Sequence, residues 1–181
     1  MIIHFAQVED APAVARVHVD TWHTTYTGIV PQEFLDNLSY PRSQANWETQ
    51  LKDPLDGMHL FLAEDQPGQV IGFACGGPLR QALADYDGEL YAIYILESFQ
   101  RQGCGMLLVN TVACDLARRG FHSLVIWVLK DNPACRFYEA LGGKFLTEKM
   151  ITIGGKQLPE VAYGWSCLDP FTHHLPDRSY P

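Results

Sequence analysis

The stretch from residue 88 to residue 129 constrains the fold more than any other part of the sequence. It contains the apolar segment ELYAIYIL, the glycine-containing loop QRQGCG, a helix predicted over 106–119, and a second apolar segment, SLVIWVL. One face of the predicted helix is apolar at helical spacing; it consists of Leu108, Val109, Val112, Ala113, Leu116 and Ala117. SLVIWVL is apolar on both faces, which is typical of a central strand covered on both sides. These segments predict the centre of a sheet.

The rest of the chain predicts helices mixed with further strands. Strands are predicted over residues 2–6, 59–64 and 69–76. Helices are predicted over residues 10–22, 31–38, 42–52 and 132–141. Asp10 and Asn132 are the expected N-caps, each followed by a proline in the first turn, and a terminal hairpin is expected to turn at Gly154 and Gly155. The pattern predicts an α/β or α+β fold with a sheet of about seven strands.

The length of the chain favours one domain. At 181 residues it can form a single substantial core. We predict one domain over residues 1–168 and an irregular C-terminal tail over residues 169–181.

Charge and cysteine content narrow the classes of ligand and location. The net charge of −8, from 21 acidic and 13 basic residues, disfavours a nucleic-acid ligand, because binding a phosphate backbone requires the opposite sign. An acidic surface suits a cationic or amine-bearing small molecule, and it equally favours plain solubility. The sequence shows neither a secretory signal nor an apolar run of about 18 residues, so no membrane segment is expected. The five cysteines lack zinc spacing, which predicts reduced thiols and a cytoplasmic location.

The loop QRQGCG is a candidate phosphate-binding loop, because glycines that open a helix leave backbone N–H groups available to an anion. A Walker loop would need Lys and Ser or Thr after Gly105, where Met106 stands. A dinucleotide-binding loop would need a third glycine where Leu108 stands. Gln100, Gly103 and Gly105 match the pyrophosphate loop of acyl coenzyme A transferases, (Gln/Arg)-x-x-Gly-x-(Gly/Ala). The alternative is a plain turn, since two glycines before a helix often mean no more than that.

Two segments together resemble the GNAT superfamily of acyl coenzyme A-dependent N-acyltransferases. ELYAIYILESFQRQGCG and NPACRFYEALGG are similar to its two cofactor-binding motifs, and TWHTTYTGIVP is more weakly similar to the segment between its first two helices. The resemblance covers most of the chain and implies a mixed, mostly antiparallel sheet with a splayed centre. Gly143 replaces a common aromatic residue and Glu97 replaces a common proline.

The resemblance implies that acetyl-CoA is the co-substrate and indicates which residues hold it. The pyrophosphate is expected on the loop formed by Gln100, Arg101, Gln102, Gly103, Cys104, Gly105 and Met106. The pantetheine arm is expected along a bulged strand at Ile93, Tyr94 and Ile95, with the Ile95 N–H polarising the thioester carbonyl. Further cofactor contacts are expected from Asn132, Ala134 and Phe137.

The same resemblance suggests the catalytic groups of an N-acetyltransferase that works in a ternary complex. Tyr138 matches the tyrosine near the coenzyme sulfur and is expected to donate a proton to the leaving thiolate. Glu89 is the first choice as base, because strand alternation would place it on one face with Tyr91, Ile93 and Ile95. Trp22, His23, Tyr26 and Tyr91 are candidates for the acceptor pocket.

Several residues and the fold itself also allow other interpretations. Cys104 at a helix start could be a nucleophile, and His173 and His174 near Asp169 and Asp177 could bind a metal, but direct transfer without a metal is expected. The acceptor is expected to be an amine of a small molecule or peptide, and a homodimer is possible. The alternative function is a non-catalytic sensor or interaction module that binds acyl-CoA. Tyr138 favours the enzyme, since a sensor needs no acid at the sulfur.

Overall fold

A computed structural model describes residues 1–54, 57–83 and 85–172. Within them, seven strands form one sheet in the order β1-β2-β3-β4-β5-β7-β6. The strands are β1 (Ile2–Phe5), β2 (His59–Glu64), β3 (Val70–Pro78), β4 (Gly88–Ile95), β5 (Leu124–Leu129), β6 (Lys144–Ile153) and β7 (Lys156–Trp165). The helices are α1 (Ala11–Tyr26), α2 (Gln32–Asp36), α3 (Tyr40–Lys52), α4 (Cys104–Arg118), α5 (Cys135–Ala140) and α6 (Asp169–Thr172). All strand pairs are antiparallel except β4 and β5, which confirms the mixed, mostly antiparallel sheet.

Helix α4 connects the two parallel central strands, as a parallel pair requires. Its apolar stripe is confirmed, because Leu108, Val109, Val112 and Leu116 are all buried against the sheet. Gly120 follows the helix with φ +88°, the left-handed conformation expected of a residue that ends a helix. On the opposite face of the sheet, α1 and α3 contribute Val14, Val17 and Trp47 to a second cluster. The sheet is therefore covered on both faces around β3 and β4.

Strand β4 contains a bulge that changes which way its side chains point. Cys75 pairs with Ala92 and Gly76 pairs with Leu90, so Tyr91 is the extra residue. Beyond the bulge, Ile93 and Ile95 pack on the α4 side, while Tyr91 packs on the α1 side. The prediction that Glu89, Tyr91, Ile93 and Ile95 share one face is therefore wrong.

Strands β4 and β5 lie side by side only at their beginnings. They pair at Gly88, Glu89 and Leu90 of β4 and separate afterwards, although both strands continue. Asp87 fixes the paired end, since its carboxylate accepts hydrogen bonds from the N–H groups of His122 and Ser123. The splayed centre of the sheet is confirmed, and it leaves a gap between the second halves of the two strands.

Several predicted boundaries differ from the structure. The carboxylate of Asp10 accepts a hydrogen bond from the N–H of Gln7 at 2.8 Å, and not from an N–H in the first turn of α1. Helix α1 ends at Tyr26, four residues later than predicted. Asn132 is not the N-cap of α5, because its Oδ1 accepts from the N–H of Ala134 and the helix begins only at Cys135.

The predicted irregular tail begins with a helix instead. Residues Asp169–Thr172 form a helical turn that packs on α4 and buries Phe171. His173, His174 and Asp177 lie outside the described residues, and the division of the chain at residue 168 stays a prediction. In the described parts of the chain, every helix is too short or too polar to cross a membrane.

Candidate active site

A cavity of about 800 Å³ opens where β4 and β5 separate. Its walls are the C-terminal half of α1, the second half of β4, the loop that begins α4, the end of β5, the segment 132–138 and the terminal hairpin. This volume is in the range of cavities that bind small molecules and cofactors. The cavity is therefore the candidate active site.

Most of the residues predicted from the sequence line this cavity. They are Trp22, Tyr26, Tyr91, Ile93, Tyr94, Ile95, Gln100, Arg101, Gly103, Gly105, Met106, Asn132, Ala134, Phe137 and Tyr138. His23, Glu89, Gln102 and Cys104 are not among the lining residues. Residues far apart in the sequence are thus brought to one site, although their individual roles stay predictions.

The loop before α4 has the geometry of an anion cradle. Arg101 and Gly103 both have positive φ, at 59° and 87°, and Gly103 is the N-cap of the 15-residue helix. The first N–H groups of a helix have no partner within it, and the first turn of α4 carries no acidic side chain to occupy them. Because Gly103 and Gly105 line the cavity, these donors lie at its edge. The loop therefore fits a phosphate group.

The backbone of β4 directs further donors toward the gap. The N–H of Leu96 donates to Ile71 O of β3 at 2.9 Å. Since backbone groups alternate along a strand, the N–H groups of Ile93 and Ile95 point to the opposite side, where β5 has moved away. The Gln100 amide donates to Ile95 O at 2.9 Å and so ties the loop to the end of β4. Gln102 instead donates to Ser98 O and contacts no part of the cavity.

Tyr138 lies in the cavity wall on α5. It is 3% exposed, and burial raises the pKa of its hydroxyl far above the ordinary value, so the group is protonated at neutral pH. No hydrogen bond to this hydroxyl is formed by any residue the structure describes. The packing behind α5 explains why residue 143 is a glycine rather than an aromatic residue. A Cβ at this position would lie 2.8 Å from the Trp165 ring.

Two polar contacts fix the α1 wall of the cavity. Trp22 Nε1 donates to the Tyr94 hydroxyl at 3.1 Å, and Asn132 Nδ2 donates to the Tyr26 hydroxyl at 3.3 Å. Burial raises the pKa values of both Tyr26 and Tyr94, so both hydroxyls are neutral. The contacts connect α1 to β4 and to the segment after β5, across the gap.

Cys104 does not have the environment of a nucleophile. Its side chain is 1% exposed and packs in the core beneath α4. Burial raises the pKa of the thiol to about 11, although it stands at a helix N-terminus. A buried, protonated thiol that does not line the cavity agrees with transfer that involves no acyl-cysteine.

The assignment of Glu89 as the base needs correction. Its side chain is 2% exposed and lines a separate, smaller cavity. One carboxylate oxygen accepts from Nε and Nη2 of Arg80, and the other accepts from the Arg80 backbone N–H at 3.0 Å. Both oxygens of this carboxylate are therefore engaged by Arg80, and Glu89 does not line the larger cavity in which an amine would react. The bulge at Tyr91 is part of the reason, because it separates Glu89 from the face of Ile93 and Ile95.

Sequence reasoning did not single out three residues of the cavity wall, Thr21, Trp127 and Glu160. Within the described residues, Thr21 Oγ1 is a buried side-chain oxygen that has no hydrogen-bond partner, which is the state expected of a group that a ligand would satisfy. Burial raises the pKa of the Glu160 carboxyl, and the nearby positive charge of Lys149 offsets part of this increase. No local sequence pattern marks Glu160, because it reaches the site through the pairing of the terminal hairpin.

Comparison with known proteins identifies the family. Residues 76–151 match the model of the family described as FR47-like protein. The chain is 42% identical over 163 residues to "Uncharacterized N-acetyltransferase YuaI" of Bacillus subtilis, covering 90% of this chain and 91% of that protein. The chain belongs to the GNAT superfamily of N-acetyltransferases. It is accordingly an acetyl-CoA-dependent acyltransferase, as the resemblance of its motifs implied.

Two further GNAT proteins extend the comparison. "Probable N-acetyltransferase Rv2775" of Mycobacterium tuberculosis is 30% identical over 174 residues, covering 89% of this chain and 91% of that protein. The structure of yncA from Salmonella typhimurium, solved with its cofactor acetyl-CoA, superposes with a TM-score of 0.65 at 22% identity and covers 98% of both chains. At that identity the structural likeness concerns the fold alone.

Proposed function

We propose that this GNAT enzyme transfers the acetyl group of acetyl-CoA directly to a primary amine of a small molecule, with both substrates bound at once. A peptide amine is the related possibility. One observation carries the proposal: a single cavity has at its edge a loop whose geometry suits an anion and in its wall a protonated tyrosine without a hydrogen-bond partner among the described residues, and strand N–H groups are directed toward the gap between them.

The donor side of the site follows from the backbone. The N–H groups of Gly103, Gly105 and Met106 would hold the pyrophosphate, and those of Ile93 and Ile95 would bind the pantetheine arm. The Ile95 N–H would stabilise negative charge on the thioester oxygen. Acetyl-CoA supplies an acyl group already activated as a thioester. The protein therefore needs to position it and to manage two protons.

The two protons require two different side chains. The amine nitrogen forms a bond to the acyl carbon, the carbon–sulfur bond breaks, and the amine loses one proton. Tyr138 would donate to the leaving thiolate. Glu160 would accept the proton of the amine, directly or through water, because it lines the cavity and is not held by an arginine as Glu89 is.

Initial-rate kinetics with a panel of amines test this proposal. Release of the coenzyme thiol from acetyl-CoA should depend on an added amine, and double-reciprocal plots should intersect, because both substrates must be present before the bond forms. Cys104→Ala should keep the transfer, since no acyl-cysteine is involved. Parallel plots together with loss of transfer in Cys104→Ala would contradict direct transfer. Absence of thiol release with every amine would contradict the proposed reaction.

A further inference from the structure

A second, smaller cavity adjoins the proposed transfer site. It has a volume of about 270 Å³ and is lined by Arg80, Gln81, Glu89, Trp127, Lys149 and Glu160. Trp127 and Glu160 line the larger cavity as well, so the two cavities share a wall. At about 30 Å³ per water molecule, the space would hold roughly nine waters. It suits one end of a small molecule rather than a length of polypeptide.

The charged side chains of the small cavity form two ion pairs, and the two partners within each pair differ in exposure. In the pair of Arg80 and Glu89 the side chains are 58% and 2% exposed. Lys149 Nζ lies 3.5 Å from the Glu160 carboxylate, and these side chains are 35% and 18% exposed. The cation is the more accessible partner in each pair. The two pairs balance in charge, but the more exposed charges of this lining are the positive ones, even though the chain as a whole carries a charge of −8.

Both cations remain able to bind an anion. Glu89 engages Nε and Nη2 of Arg80, so the Nη1 hydrogens are not used by this pair. A planar guanidinium with unused donors is well suited to a carboxylate. Lys149 lies 3.8 Å above the Trp127 ring, donates to Gln81 Oε1 at 3.2 Å, and makes a longer contact of 3.5 Å with Glu160. An ammonium has three N–H donors, so one donor remains for an incoming negative group.

We propose that the small cavity binds the carboxylate of the acceptor, so that the acceptor is a small amino carboxylate such as an amino acid. This inference rests on the proposed function, because the adjoining cavity is what gives the amine a reaction partner. A carboxylate held by Arg80 and Lys149 would place a nearby amine against Trp127 and Glu160, the wall shared with the transfer site. An uncharged amine of the same shape would lack this anchor.

Matched acceptors test the inference. Each amino acid of a panel is compared with its amide and its decarboxylated amine, at a pH where kcat/KM no longer changes. The wild type should prefer the amino acid by roughly ten- to a hundredfold, the effect of one charged hydrogen bond. Lys149→Met should lower that preference ratio by about tenfold, whereas Lys144→Met, on the same strand but outside both cavities, should keep it. Arg80 is not varied, because its loss would leave Glu89 buried and unpaired.

The outcomes separate this inference from the proposed function. Equal rates with amino acids and their amides would overturn the carboxylate site, and a preference for diamines would assign the cavity to cations instead. If no amine is acetylated, the proposed function fails. The carboxylate site can still be tested by calorimetric titration of the amino acids into the protein with coenzyme A present. Binding that is weakened by Lys149→Met would support the site. No binding of any amino acid would overturn it.

Discussion

At the scale of single residues, Tyr138 lines the cavity, and its hydroxyl has no hydrogen-bond partner among the described residues. Tyr138→Phe keeps the ring in its place between Phe137 and Tyr163 and removes only the proton donor. Turnover should fall by roughly 10²–10⁴-fold, the usual effect of a positioned acid, while the affinity for acetyl-CoA changes little. Steady-state kinetics and calorimetry measure the two effects separately. A loss confined to affinity would mean that the hydroxyl only binds.

Glu160 should be visible in the pH dependence of the reaction. Burial raises the pKa of its carboxyl, and a carboxyl accepts a proton only when it is ionised. Activity should therefore fall as the pH drops through this raised pKa. Glu160→Gln should remove that decline and lower turnover by roughly 10²–10⁴-fold. Glu148→Gln is the matched control, because Glu148 lies on the same hairpin as Glu160 but lines neither cavity. Like Glu160, it forms an ion pair with a lysine, in this case Lys130. An unchanged pH profile in Glu160→Gln would place the base elsewhere.

At the scale of elements, the loop and the first turn of α4 act together as the anion site. Gly103→Val introduces a Cβ where the backbone must approach phosphate, so acetyl-CoA should no longer raise the melting temperature. Gly28→Val is the matched control, because Gly28 also has positive φ, at 84°, with open space around it and away from the cavity. Both variants carry similar backbone strain. A normal shift in Gly103→Val would contradict the loop assignment. Gly105 is a poorer test, since its Cβ would lie 3.1 Å from Phe137.

Elements were predictable wherever the sequence pattern is local. The apolar stripe of α4 repeats at helical spacing, and the glycines before it match a loop motif at fixed positions. The bulge at Tyr91 left no such signal, because β4 is apolar on both faces and its register could shift without exposing a polar residue. The pairing of Arg80 with Glu89 depends on the irregular connection between β3 and β4, which has no repeating pattern. The position of Glu160 at the cavity depends on the pairing of β7 with β5. These are the residues for which the sequence analysis was incomplete or wrong.

At the scale of the whole molecule, His18 lies where α1, α3 and β4 meet, behind the wall of the cavity. Its ring packs against Trp22, Trp47 and Tyr94, and its Nδ1 lies 3.1 Å from Ser43 Oγ. Burial lowers the pKa of His18 to about 4 from the usual 6.5. The folded protein therefore binds this proton less readily than the unfolded chain, and the stability of the fold should be lost progressively as the pH falls from 6.5 toward 4.

The size of this acid-induced loss can be measured. At about 1.4 kcal/mol per pH unit, His18 alone should lower the free energy of unfolding by about 3 kcal/mol across that range. His18→Gln keeps a polar group near Ser43 but cannot titrate, so its unfolding free energy should depend less steeply on pH. Denaturant titrations at several pH values compare the two proteins, and the contribution of carboxyl groups cancels in the difference. Parallel pH dependence in both proteins would show that another group is responsible.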